Sequence, residues 1–99
     1  MSKNNISYLD IINDRLKYFK LELQLIAYGN YLAEKNNYPD NISGLEAIYL
    51  YLSTEHKWTL TYLRGLCLTD IQSLIYKDLQ NFETPPELDI LLKRLYVHD

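Results

Sequence analysis

One cysteine, three glycines, three prolines and one valine, Val97, are all that 99 residues contain of those types. A single cysteine, Cys67, excludes an intrachain disulfide and fits the reducing conditions of a cytoplasm. So few glycines and prolines leave few places for the chain to turn. Leucine, which favours helices, is abundant, while valine, which favours strands, is nearly missing. The expected fold class is therefore all-α. Basic residues are not clustered: ten Lys and Arg are scattered among thirteen Asp and Glu, for a net charge of −3. A nucleic-acid binder draws most of its affinity from phosphate contacts and usually carries a basic stripe, so nucleic acid is not the expected partner. Long apolar runs are also missing. The longest uncharged stretch, Leu23 to Ala33, is too short to span a bilayer and is interrupted by Gln24 and Asn30. The opening Met-Ser-Lys-Asn-Asn carries no apolar signal core. A cytoplasmic location without membrane contact is the expectation.

What is present is a globular composition, 47% hydrophobic and 23% charged, expected to form one domain over residues 1–99. A chain of this size buries roughly two-thirds of its unfolded surface, enough for one core. Ten tyrosines are many. Beside the abundant Asn, Lys and Ile they match the bias of an AT-rich coding sequence, so their number carries no functional weight.

The most informative pattern lies in the first third. Numbered as heptads from Leu9, residues Leu9, Ile12, Leu16, Phe19, Leu23, Ile26, Asn30 and Ala33 occupy the two seam positions, with spacings alternating between three and four. A second stripe of the same spacing runs through Tyr18, Leu21, Leu25, Tyr28 and Leu32. At about 100° per residue the stripes lie roughly 160° apart on one helix, expected over Tyr8 to Lys35. One stripe can pack on the rest of this chain. The other needs more of this chain or a second one. Gly29-Asn30 marks a possible kink, and Asn30 at a seam position is a candidate to fix register.

The rest predicts about four shorter helices. Hydroxyl residues followed three later by an acid or amide read as capping boxes at Ser7/Asp10, Ser43/Glu46, Thr69/Gln72 and Thr84/Glu87. A turn-rich linker, Asn36 to Asn41, precedes a helix after Ser43 with Leu45, Ile48, Tyr49 and Leu52 inward and its end fraying over Ser53 to Lys57. Leu50 and Tyr51 lie off that stripe, which suggests burial on a further side. A short helix spans Trp58 to Arg64, with Thr59 as cap and Trp58 expected in the core. A helix over Asp70 to Leu79 turns Ile71, Leu74, Ile75 and Leu79 inward. The last helix has Pro85 in its first position and a stripe of Leu88, Leu91, Leu92 and Leu95.

Short helices following the C-terminal end of a helix about 42 Å long are expected to pack around its second half. The first half then projects and needs a partner. The expected function is a non-enzymatic protein–protein interaction module: an adaptor, assembly factor or small inhibitor acting as a homodimer. Leu9, Ile12, Leu16 and Phe19 are the expected apolar contacts, flanked by Arg15, Lys17, Lys20 and Glu22. A second class is a small helix-turn-helix regulator of nucleic acid, in which Gly65 sits in the turn and Thr69, Gln72, Ser73 and Lys77 would face the bases. Asp70 in that segment would face phosphate unfavourably. No catalytic, cofactor or metal set emerges. His56 and His98 have no acid or cysteine at ligand spacing, and Cys67, between Leu66 and Leu68, reads as a small buried apolar residue.

Overall fold

The structure is a computed structural model that describes residues 7–96, with side chains as far as Arg94. It is all-α. Six helices are described: α1 Tyr8–Lys35, α2 Gly44–His56, α3 Leu60–Arg64, α4 Leu68–Leu74, α5 Tyr76–Gln80 and α6 Pro86–Tyr96. The long N-terminal helix has the expected limits. Its cap is Ser7, whose Oγ accepts from the Leu9 N–H at 3.1 Å.

The helix runs without a break through Gly29-Asn30, a point the sequence left open. The glycine serves a helix crossing instead. A Cβ built on Gly29 would lie 1.8 Å from the carbonyl oxygen of Gly44, so the start of α2 rests directly on the α1 backbone. Gly44 has φ of +56°, a left-handed value that other residues rarely adopt. Its N–H, one of the unpaired donors of a helix start, is taken by Asn30 Oδ1 at 2.8 Å. Ser43 occupies the expected cap position but makes no side-chain capping bond. Asn30 caps α2 from another helix, and its side chain is therefore committed within the chain rather than to setting register between chains.

The core grows from this crossing. The second stripe of α1 supplies Leu25, Tyr28 and Leu32, with Leu21 half-buried beside them. From α2 come Ala47, Ile48, Tyr49 and Leu52, all buried, with Leu45, Leu50 and Tyr51 half-buried as expected of a helix covered on more than one side. Leu63, Leu68, Ile71 and Ile75 complete the core, and Trp58 packs on it half-buried, stacked on His56 at 4.5 Å. The α2 end does not fray early. It continues to His56 and closes at Lys57, whose left-handed φ of 62° brings its N–H to the Ser53 carbonyl at 2.9 Å.

The expected single helix from Asp70 to Leu79 is two helices. It starts earlier, at Leu68, so Thr69 lies inside it and Cys67 stands at the cap position. It then breaks at buried Ile75 (φ −111°, ψ 20°). The break turns Leu74 outward to 40% exposure, against expectation, and carries the chain on to Phe82, whose ring meets Tyr28 at 5.3 Å and Tyr31 at 5.5 Å. Helix α3 begins at Leu60, capped by Thr59, which accepts from the Tyr62 N–H at 3.1 Å. Helix α6 begins one residue late, at Pro86, and the Pro85 carbonyl accepts from Leu88 and Asp89. On it Leu92 is buried and Leu88 half-buried, but Leu91 is 53% exposed; Leu95 lies outside the described side chains.

The molecule measures 54 × 31 × 25 Å and has a radius of gyration of 16.2 Å, against about 13 Å for an ordinary domain of this length. The first half of α1 accounts for the excess, because the other helices gather at its second half.

Gly29→Ala tests the crossing. Helix propensity alone favours alanine by about 1 kcal/mol. The backbone contact reverses the sign, and we expect a loss of about 1–3 kcal/mol or more, read from the midpoint of urea unfolding.

Candidate interaction surface

The two stripes of α1 meet different fates. The second stripe enters the core from Leu21 onward. Of the seam stripe, no member is buried: Leu9, Ile12, Phe19 and Asn30 are exposed, and Leu16, Leu23, Ile26 and Ala33 are half-buried. Exposure reaches 63% at Leu9, 52% at Ile12 and 42% at Phe19. Isolated apolar side chains on a surface are ordinary. Three large ones in heptad register within eleven residues, with half-buried Leu16 between them, form a row.

The reason lies in the connections. The loop after Lys35 returns along the C-terminal part of the seam, where Asn30, Ala33, Tyr38, Pro39 and Ile42 line a shallow recess. Tyr38 donates its N–H to the Ala33 carbonyl at 2.9 Å, and Ile42 donates to Pro39 at 2.9 Å, which holds the loop in place. Among the described residues, no comparable segment reaches Leu9 or Ile12. Nearer the middle, Lys20 shares a recess with Asp89, Leu92 and Lys93 of α6, so α6 approaches one flank of α1 at that level. Arg15 is exposed, as is Lys20. Of the six residues expected to make the partner contact, five are exposed and Leu16 is half-covered. Tyr8 at 85%, Ile11 at 40% and Tyr18 at 53% are also exposed on this half of α1. Tyr8 belongs to neither stripe, and Ile11 stands one heptad before Tyr18, in the register of the second stripe but ahead of its first residue.

No protein-family model, no curated protein and no solved structure matches this chain. The surface must be read from its own chemistry.

The other candidates are less coherent. The residues of the helix-turn-helix reading are divided by the break at Ile75: Thr69, Gln72 and Ser73 lie on α4 and Lys77 on α5. Gln72 is half-buried, and the Ser73 hydroxyl donates back to the Thr69 carbonyl at 3.1 Å. Cys67, expected buried, is exposed, because it stands before the first turn of α4 with its Sγ donating to Asp70 Oδ2 at 3.1 Å. Among the described residues no group of three or more His, Cys, Asp and Glu comes together to hold a metal, and no helix is long and apolar enough to cross a membrane. His98 lies outside the described residues. Glu46 and Arg64 pair at 2.6 Å between α2 and α3. The guanidinium hydrogen bond holds the carboxyl below its usual range, but both side chains are half exposed, where such pairs contribute little.

The aromatic recess formed by Tyr28, Tyr31, Phe82, Lys35 and Asp78 is a packing feature. Its three rings pack on one another with centroids 5.3–6.0 Å apart. Burial pushes the Tyr28 phenol up to about 12, with a smaller push from Asp78. A phenol whose folded value is raised contributes stability that is complete below the ordinary value of 10.0 and lost as the pH rises toward 12. We expect cooperative unfolding in that alkaline window, followed by phenolate absorbance and far-ultraviolet circular dichroism. Tyr28→Phe should move the transition to higher pH.

Proposed function

We propose that this chain is a non-enzymatic protein–protein interaction module of the cytoplasm that acts through the open seam of α1, as a homodimer. One observation carries the reading: the apolar row Leu9, Ile12, Leu16 and Phe19 has no buried member, although α1 supplies a full face to the core on its other side. Covering the exposed half of Leu9, Ile12 and Phe19 is worth about 1 kcal/mol each, from about 1.5–3 kcal/mol for a whole side chain. Arg15 and Lys20 form a polar flank, as interface rims commonly do. A scaffold, assembly or inhibitory role fits a surface with contacts but no reacting groups.

Light scattering on the purified protein tests it. We expect twice the chain mass for the native protein and the chain mass for Ile12→Glu, with the same helical circular dichroism in both. Ile12 is 52% exposed, so a charge there costs the fold little. A native monomer, or an Ile12→Glu dimer, overturns the homodimer. Binding of random duplex DNA that weakens steeply with salt would favour the nucleic-acid regulator instead.

A further inference from the structure

Among the described residues, α6 alone of the six helices brings nothing to the core cluster. Its one buried side chain, Leu92, is 5% exposed yet stands outside that cluster, as does half-buried Leu88. The contact that buries Leu92 is incompletely filled. A recess of about 230 Å³ remains there, lined by Lys20, Asp89, Leu92 and Lys93. Leu91, on the apolar stripe of α6, is left 53% exposed. The chain enters α6 through Pro85-Pro86, which offers no N–H with which to tie the entry down. A helix held by a small separate patch can open on its own, without the rest of the molecule.

The place of that patch gives the opening a consequence. Thr84 lines a recess with Gln24, and Leu92 lines one with Lys20. The chain therefore follows α1 from Gln24 toward its N-terminus. On the α1 surface the residues one turn either side of Lys20 include Leu16 and Leu23, about 40–60° round the helix from it. Both belong to the seam stripe and both are half-buried. Phe19, at the same level but about 100° from Lys20, is 42% exposed. The cover thus follows the flank on which α6 lies.

We infer that α6 is a strap that lifts from α1 as one unit and, when lifted, adds Leu16 and Leu23 to the open row. With the strap down, Leu9, Ile12 and Phe19 are the exposed members of the row. With it up, five consecutive seam residues, Leu9, Ile12, Leu16, Phe19 and Leu23, face solvent. The strap regulates how much of the seam a partner can use. That regulatory role rests on the interaction reading above; the lifting itself does not.

Hydrogen exchange on the full chain tests the lifting. We expect the amides of Ile90 to Arg94 to exchange at a common rate, about 100-fold or more above that of Leu25, Tyr28 and Leu32. Leu92→Ala removes the buried anchor and should speed the α6 amides a further tenfold or so, leaving those three unchanged. Thiol labelling tests what is uncovered. In a Cys67→Ser background, which removes the exposed native thiol, Leu23→Cys should label several-fold faster once Leu92→Ala is added. Exchange of α6 at the core rate, or a rate that only climbs residue by residue toward the chain end, overturns the strap. Unchanged labelling at position 23 shows that α6 does not cover it and also overturns the inference. Both readouts hold whether or not the native protein is a dimer. Light scattering then reads the regulation: a larger dimer fraction for Leu92→Ala at equal concentration supports it, and a smaller one overturns it by making α6 part of the contact.

Discussion

Two backbones touch at Gly29 and Gly44, and the arrangement of the remaining helices follows from that contact. The Gly44 carbonyl fills the space that a side chain at Gly29 would need. Such an approach is possible only where one helix presents bare backbone. It also strands a donor, because Gly44 opens α2 and its N–H has no partner within that helix. Asn30, the next residue along α1, supplies the acceptor at 2.8 Å. The left-handed turn at Gly44 then aims α2 back along α1. Steric room, a satisfied donor and a permitted φ are thus met by three residues in one place. Substituting any one disturbs the conditions for the other two.

Where that crossing sits decides what the molecule leaves uncovered. It lies in the C-terminal third of α1, and every later helix is tied to it by short connections. The core accordingly collects around Leu25, Tyr28 and Leu32. The helix continues well beyond its own support toward the N-terminus. A helix isolated in water is marginal at this length, and most helical stability in proteins comes from packing one face. The Ser7 cap and the continuity with the packed half help to hold the projecting turns, but they do not cover its apolar row. The same crossing that organises the core therefore exposes the seam.

The sequence carried much of this in periodic form, and the losses have physical causes. Two opposed stripes on one long helix were legible because a period of 3.6 leaves a clear trace over many turns. So was the consequence that the short helices gather at one end, since connection lengths limit reach. The role of Gly29 and Asn30 was not legible. Glycine beside asparagine in a helix has the same local signature whether it bends the chain or accepts another backbone, and the deciding contact, with Gly44, is fifteen residues away. The break at Ile75 was hidden for a similar reason: Ile71, Leu74, Ile75 and Leu79 keep helical spacing across it, and burial of Ile75 at the turn decides the outcome. Cys67 misled because flanking leucines describe sequence neighbours, whereas a residue entering a helix can point away from both. On the surface, Leu9, Ile12 and Phe19 were legible from register alone, while Tyr8 belongs to no stripe.

The magnitudes bound how such a surface can work. Half-covered Leu9, Ile12 and Phe19 from two copies amount to about 6 kcal/mol of apolar burial. Bringing two molecules together costs an estimated 4–15 kcal/mol in lost freedom before side-chain ordering is counted. The row alone therefore sits near the break-even point, and a measurable dimer needs its neighbours. Tyr8 stands within about 60° of the seam and can join a two-helix contact, but Ile11 and Tyr18 lie more than about 100° round the helix and cannot. What remains within reach is α6, which approaches α1 at Lys20 and exposes Ile90 and Leu91. The proposed association, on these terms, is concentration-dependent and reversible.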